Sequence, residues 1–292
     1  MSDPQELLKR AEKKGVPSSG FMKFFNGSDS YKFEEAAELC VQAANIYRLR
    51  KELSAAGESF LKAADYQLKA GNDDEAANTF IEAFKCFKSS GSFTDAVSSL
   101  ESAVNLFTKK GQFRRAANFK FDLGEIQEND LTDYKNAIES FETAGEWYEQ
   151  DQSMALANKC YVRCADLKAL DGQYIEASDL YTKLIKNSLG NRLSQWSLKE
   201  YFLKKGLTQL AANDTVAASR TVQEGMKDDP NFHDSRECNL LQGLIESVSE
   251  GDSEKLSQLV FEFDKFSKLD KWKTTIMLKI KETITEAEDD LL

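Results

Sequence analysis

Apolar and small residues recur along this chain on a helical stripe. Alanine stands at Ala36, Ala56, Ala76, Ala96, Ala116, Ala137, Ala157 and Ala177, twenty residues apart except for one step of twenty-one. Ser197 and Ala217 continue the series. Four residues after each rung comes a larger, mostly apolar residue: Cys40, Phe60, Phe80, Leu100, Phe141, Tyr161 and Tyr181. Lys120 is the exception, flanked by Phe119 and Phe121. Seven residues after the rung stand Ala43, Ala63, Ala83, Ala103, Leu123, Ala144, Cys164 and Leu184, and eleven after it Tyr47, Phe87, Phe107 and Tyr148. Offsets of 0, 4, 7 and 11 lie on one face of an α-helix, whereas a strand would need period 2.

Stops and starts fit the same frame. Gly71, Gly91, Gly111 and Gly172 fall where a helix end takes the left-handed conformation that glycine accepts at low cost. Asn72, Ser92, Asp133 and Ser153 are good N-cap residues. Each period therefore predicts a helix of roughly fifteen residues, about 22 Å long, and a short turn. Short turns force antiparallel neighbours, so two periods make a hairpin of about forty residues, against about thirty-four in a tetratricopeptide repeat. The prediction is an all-α, TPR-like right-handed solenoid of antiparallel helical hairpins. Alanine is also the best helix former, but the constant period favours a packing role, where one helix lets its neighbour come close.

Outside the ladder the pattern changes. Residues 1–30 hold a short basic helix over 5–14 and a loop rich in Gly and Ser. The repeat solenoid is expected over 31–225, fading after Ala177 and broken at Asp228-Asp229-Pro230-Asn231. Helical patterns over 233–249, 253–267 and 270–286 predict a C-terminal bundle, 226–286, that caps the solenoid, since an open solenoid end needs a cap. Residues 287–292 form an acidic tail ending in Leu-Leu, expected to be mobile.

Composition narrows the function. The chain has 292 residues and a net charge of −11. Residues 225–292 hold 16 acidic and 9 basic side chains, so the acid excess lies towards the C-terminal end. That opposes nucleic-acid binding, which needs a basic footprint. Five cysteines, an odd number, without a signal peptide suit reduced thiols and a cytoplasmic setting. No apolar run approaches the length of about twenty that spans a bilayer. Cys160 and Cys164 are one turn apart, but Cys164 holds a core position and no second pair exists, so core thiols are expected and no metal or cofactor. His233 is the only histidine; with no triad and no phosphate-binding glycine loop, an enzyme is not expected. Asp234 beside it is read as a helix cap.

Three features stand out. Phe21, Met22, Phe24 and Phe25 cluster between Ser18-Ser19-Gly20 and Asn26-Gly27-Ser28. They either fold back on the first hairpin or insert into a membrane or apolar groove, near the cations Lys9, Arg10, Lys13, Lys14 and Lys23. Each buried side chain is worth roughly 1.5–3 kcal/mol gross. Secondly, Lys159 and Arg163 follow Ala157 by two and six residues, which aims them away from the core stripe. Lys85, Lys88, Arg114 and Arg115 occur in neighbouring units. Any one of these suits a solvated face, but a stripe of them would suit an acidic, elongated partner. Thirdly, the chain ends Asp289-Asp290-Leu291-Leu292, either a frayed tail or a docking peptide.

Together the Phe-rich loop, Ala157-Asn158-Lys159-Cys160, Asp234-Ser235-Arg236-Glu237-Cys238, Leu269-Asp270-Lys271-Trp272 with Thr274-Thr275, and Glu288-Asp289-Asp290-Leu291 resemble the soluble NSF attachment proteins, in their fungal form. The resemblance covers essentially the whole chain. It implies an adaptor that binds the assembled SNARE four-helix bundle and recruits and stimulates the hexameric AAA ATPase NSF, with peripheral membrane attachment. It places SNARE binding on Lys159 and Arg163, and Asn118, with Lys120 nearby, stands where the family has a lysine; Lys85, Arg114 and Arg115 of the neighbouring units, with Lys120, are further candidate cations for that contact. It places membrane contact on Phe21 and Met22, helped by Phe24 and Phe25. It places ATPase stimulation on Leu291, with Glu288, Asp289, Asp290 and Leu292 of the same tail as candidates for recruitment, although Leu292 departs from the family's basic last residue. The alternative is a general TPR-type peptide-binding co-chaperone.

Overall fold

The computed structural model describes residues 3–17, 29–191 and 194–289, the last four of these by backbone alone. Among the described residues there are fifteen α-helices, one 3-10 turn at Gln195–Ser197 and no strand. Contacts divide the chain into two compact units, one ending at Asp151 and one beginning at Gln152.

The first unit contains α1 (Pro4–Lys14), α2 (Ser30–Leu49), α3 (Leu53–Ala70), α4 (Asp73–Ser90), α5 (Phe93–Lys109), α6 (Phe113–Asn129) and α7 (Tyr134–Gln150). Each helix packs chiefly on its sequence neighbours, as a run of hairpins must. The rung alanines Ala36, Ala56, Ala76, Ala96, Ala116 and Ala137 are all fully buried, as are the residues seven further on. The ladder's one step of twenty-one has a local cause. The α5–α6 turn holds three residues, Lys110 to Gln112, and the α6–α7 turn holds four, Asp130 to Asp133. The extra residue is absorbed in the turn, so the core register survives.

Helix ends follow backbone geometry more than residue identity. Gly71, Gly91, Gly111 and Gly172 all have positive φ. Lys51, Thr132 and Gln152 take the same conformation at the equivalent turns, although a side chain there costs about 1–2 kcal/mol. Of the four expected N-caps only Asp133 accepts a capping hydrogen bond, from the Asn136 N–H. Asn72, Ser92 and Ser153 occupy the position at ψ 62°, 67° and 59° and make no such bond. The preceding turn curls the backbone away from the extended ψ of 155° with which Ser235 caps its helix.

The second unit contains α8 (Met154–Leu170), α9 (Tyr174–Ser188), α10 (Leu198–Ala211), α11 (Thr215–Asp228), the single turn α12 (Pro230–His233), α13 (Arg236–Glu250), α14 (Ser253–Phe266) and α15 (Lys271–Asp289). Here the ladder slips by one residue. Ser197 and Ala217 are only half-buried, and Leu198 and Ala218 take the core positions. Pro230 starts α12, where its missing N–H costs nothing, and Asp229 caps it by accepting from the Asn231 N–H. Asp234 caps a helix, but as the C-cap of α12, where its backbone N–H donates to the Phe232 oxygen; Ser235 is the N-cap of α13, and the Asp234 side chain contacts His233 Nδ1 at 2.7 Å. The helix expected to end near 286 continues to Asp289.

A polar junction fastens α15. The Lys204 ammonium, almost fully buried, donates to both Asp166 oxygens at 2.8 Å. The Tyr181 hydroxyl donates to the same carboxylate. Trp272 Nε1 donates to the Asp166 backbone oxygen at 2.8 Å, and Lys204 Nζ lies 4.7 Å from the centre of the Trp272 ring.

Candidate functional site

In the first unit, α2, α4 and α6 share one face. A groove of about 650 Å³ there is lined by Val41, Asn45, Arg48, Phe60, Asn78, Thr79, Ile81, Glu82, Lys85, Arg115 and Phe119. Arg48 pairs with Glu82 at 2.8 Å and lies over the Phe60 ring, tying α2 to α4. Lys85 pairs with the same carboxylate at 2.6 Å. The Lys85 hydrogen bond, helped by Arg48 and opposed by partial burial, holds the Glu82 carboxyl below its ordinary value. Arg115 donates to Asn78 Oδ1 at 2.6 Å and stacks over Phe107 at 4.2 Å. Aromatic faces position Arg48 and Arg115 on the groove wall, whereas Lys85 is held only by its exposed pairing with Glu82.

The structure therefore brings Lys85 and Arg115 together and adds Arg48, which the sequence reading missed. Its signal was available: Arg48 lies twelve residues past the rung Ala36, on the far turn of the same helix. Arg114 sits elsewhere. It pairs with Asp151 at 3.2 Å beside a second groove lined by Phe113, Asn118 and Trp147. Lys120 is half-buried on α6, and Asn118 accepts a hydrogen bond from the Tyr148 hydroxyl. In the second unit, Lys159 is exposed and Arg163 half-buried, one turn apart on α8, while Ala157, Cys160 and Cys164 between and beside them are fully buried. Cys160 and Cys164 are core thiols. Burial pushes the Cys160 thiol up to about 12.

Phe21, Met22, Phe24 and Phe25 lie outside the described residues, as do Asp290, Leu291 and Leu292. Glu288 and Asp289 belong to the last turn of α15. The segments flanking the Phe-rich loop are described. Gly15 caps α1 and abuts the Tyr66 ring, and the Ser30 hydroxyl donates to the Ala70 oxygen at 2.9 Å, so both flanks meet the C-terminal end of α3.

A family model described as "Soluble NSF attachment protein, SNAP" matches residues 2–285. The chain belongs to the soluble NSF attachment protein family. The alpha-soluble NSF attachment protein of Saccharomyces cerevisiae is 73% identical over 292 residues, covering 100% of both chains. A vesicular-fusion protein of Komagataella phaffii is 46% identical over 297 aligned residues, again covering 100% of both. The human alpha-soluble NSF attachment protein is 35% identical over 290 residues, covering 99% of this chain and 97% of its own. The resemblance drawn from the loop, the α8 segment and the C-terminal motifs is thereby borne out, and it includes the fungal members of the family.

Proposed function

We propose that this chain is an adaptor that binds assembled SNARE bundles, recruits the ATPase NSF and stimulates it to take the bundles apart in vesicle-mediated transport. Membership of the soluble NSF attachment protein family supports this over a general peptide-binding co-chaperone. The observation that carries the SNARE contact is the pair Lys159 and Arg163. They stand one turn apart on a helix whose other side is fully buried, so they carry charge outside the core. Arg48, Lys85 and Arg115 supply further cations in the first unit. Phe21, Met22, Phe24 and Phe25 attach the protein peripherally to membrane. No helix among the described residues is long and apolar enough to cross one. Residues 226–286 cap the repeats, and Glu288 to Leu292 engage the ATPase.

The test is Lys159→Glu with Arg163→Glu, measured as binding to assembled, soluble SNARE complex. Reversing two charges at a salt-screened interface should weaken binding at least several-fold, and the loss should shrink as ionic strength rises. Unchanged affinity at physiological salt, in a protein with parental circular dichroism, would refute the assignment of α8.

A further inference from the structure

A third groove, on the face of α2 and α4, has the opposite character to the one holding Arg48 and Lys85. Its volume is about 470 Å³, and Glu34, Glu38, Gln67 and Glu75 are among the residues that line it. Glu34 and Glu38 are one turn apart on α2, Glu75 stands in the first turn of α4, and all three are exposed at the rim. Carboxylates near helix starts are ordinary companions of the helix dipole. The floor is not ordinary. Gln67, on α3, is 8% exposed, and its Oε1 is buried without a hydrogen-bond partner. Leaving such an acceptor unpaired destabilises the fold.

The repeat itself supplies the control. Gln67 lies eleven residues past the rung Ala56, and Gln127 lies eleven past the rung Ala116. At Gln127 the next helix provides a donor: the Ser140 hydroxyl bonds to Oε1 at 2.7 Å. Three residues past its own rung, as Ser140 is, stands Thr79 on α4, and it does not satisfy Gln67. The fold can thus close this position internally, and at Gln67 it leaves a buried acceptor unpaired beneath three carboxylates.

A ligand that completes the site must bring donors and positive charge together. Among the described residues no group of acidic, histidine or cysteine side chains is arranged to hold a metal ion. An ammonium offers three donors around one point, whereas a guanidinium offers five in a planar fork that spans the rim carboxylates and the Gln67 oxygen at once when the Gln67 amide turns towards the groove. We propose that this cup binds a guanidinium group, the side chain of an arginine presented by a protein laid across α2 and α4. The cup stands apart from the groove holding Arg48 and Lys85, yet Val41 lines both. A partner on this face therefore meets acid and base side by side. The cup rests on the adaptor reading only for who brings the arginine.

The probe is N-acetyl-arginine amide, titrated into the whole protein and followed by NMR of the Gln67 side-chain amide, with the citrulline analogue as the neutral isostere. Saturable shifts with arginine and none with citrulline are expected. Glu38→Gln with Glu75→Gln should weaken arginine binding roughly five- to tenfold, as loss of two partly exposed charge-assisted contacts does. Gln67→Met should weaken it too, whereas the remote Glu101→Gln should not. Equal response to citrulline, no response to arginine, or an unchanged arginine affinity in the Glu38/Glu75 variant would overturn the proposal. A separate arm uses assembled SNARE complex. A parental response to arginine with no effect of the Glu38/Glu75 variant on SNARE binding would show that the arginine does not come from that partner and would overturn that part of the assignment. This arm is scored independently of the Lys159/Arg163 test.

Discussion

The junction that fastens α15 to α8 lends itself to a double-mutant cycle. Asp166→Asn keeps the shape and the acceptor for Tyr181 but removes the charge opposite Lys204, whose side chain is only 8% exposed. Breaking a buried pair from one side costs about 3–5 kcal/mol; because the amide oxygen still accepts, about 2–4 kcal/mol is expected. Lys204→Met keeps the stem's packing but loses the ion pair and the contact over Trp272. Asp166 retains Tyr181 and is 20% exposed, so the cost should be smaller, about 1–2 kcal/mol. In the double variant neither charge is stranded, and the summed cost should fall short of additive by about 1–3 kcal/mol. The assay is hydrogen exchange of the α15 and α8 amides, because one global unfolding curve would mix the two units. High salt should leave the coupling in place, since a buried pair is little screened. Additivity within about 0.5 kcal/mol would refute the view that the pair acts as one unit. Loss of protection in the first unit alone would refute its location.

Three further outcomes can be measured. Phe21→Ser with Met22→Ser should leave soluble SNARE binding intact and lower activity on membrane-anchored SNAREs, while Leu291→Ala should spare SNARE binding and lower ATPase stimulation; equal loss in every assay would assign both ends to folding. Lys51→Gly should stabilise the first unit by up to about 1 kcal/mol in urea unfolding, because Lys51 holds a φ of 62° that glycine adopts freely, less the entropy glycine loses. Burial, then Asp166, raises the Tyr181 pKa well above its ordinary value, and burial raises Cys160 to about 12. Both groups are neutral in the fold and ionise sooner when unfolded, so stability should be full below about pH 9 and fall as pH rises from there towards 12, seen by circular dichroism and absent if the two pKa values are ordinary.

Much of the fold was legible because a packed stripe leaves a strict trace. At offsets 0 and 7 the helices α2 to α9 bury Ala36 to Ala177 and Ala43 to Leu184 completely, and any bulkier or charged residue there would part the helices. What escaped legibility was geometry that residue type does not encode. A search for glycine finds Gly71 and Gly91 but passes over Lys51 and Gln152, whose left-handed turns are imposed by the helices they join. The slip to Leu198 and Ala218 was hidden because the chain between α9 and α10 departs from the short turn the period assumes. At the candidate site the cations could be read from their phase. That Lys85 and Arg48 share Glu82 could not, nor could the open acceptor of Gln67, because each depends on which residue a neighbouring helix sets opposite.

The same frame separates what the repeat holds constant from what it varies. Two residues past the rung, α2, α4, α6 and α8 present Glu38, Asn78, Asn118 and Lys159, all exposed; six past it they carry Gln42, Glu82, Asp122 and Arg163. Geometry at these positions is repeated while chemistry changes, from acid and amide on α2, α4 and α6 to paired cations on α8. Solvation alone does not single out a lysine and an arginine on α8, since glutamate or asparagine solvates that face equally well at the equivalent places. Under the proposed function the cations of α8 meet an acidic partner, and the unpaired acceptor beneath Glu34, Glu38 and Glu75 asks for the reverse charge at α2 and α4.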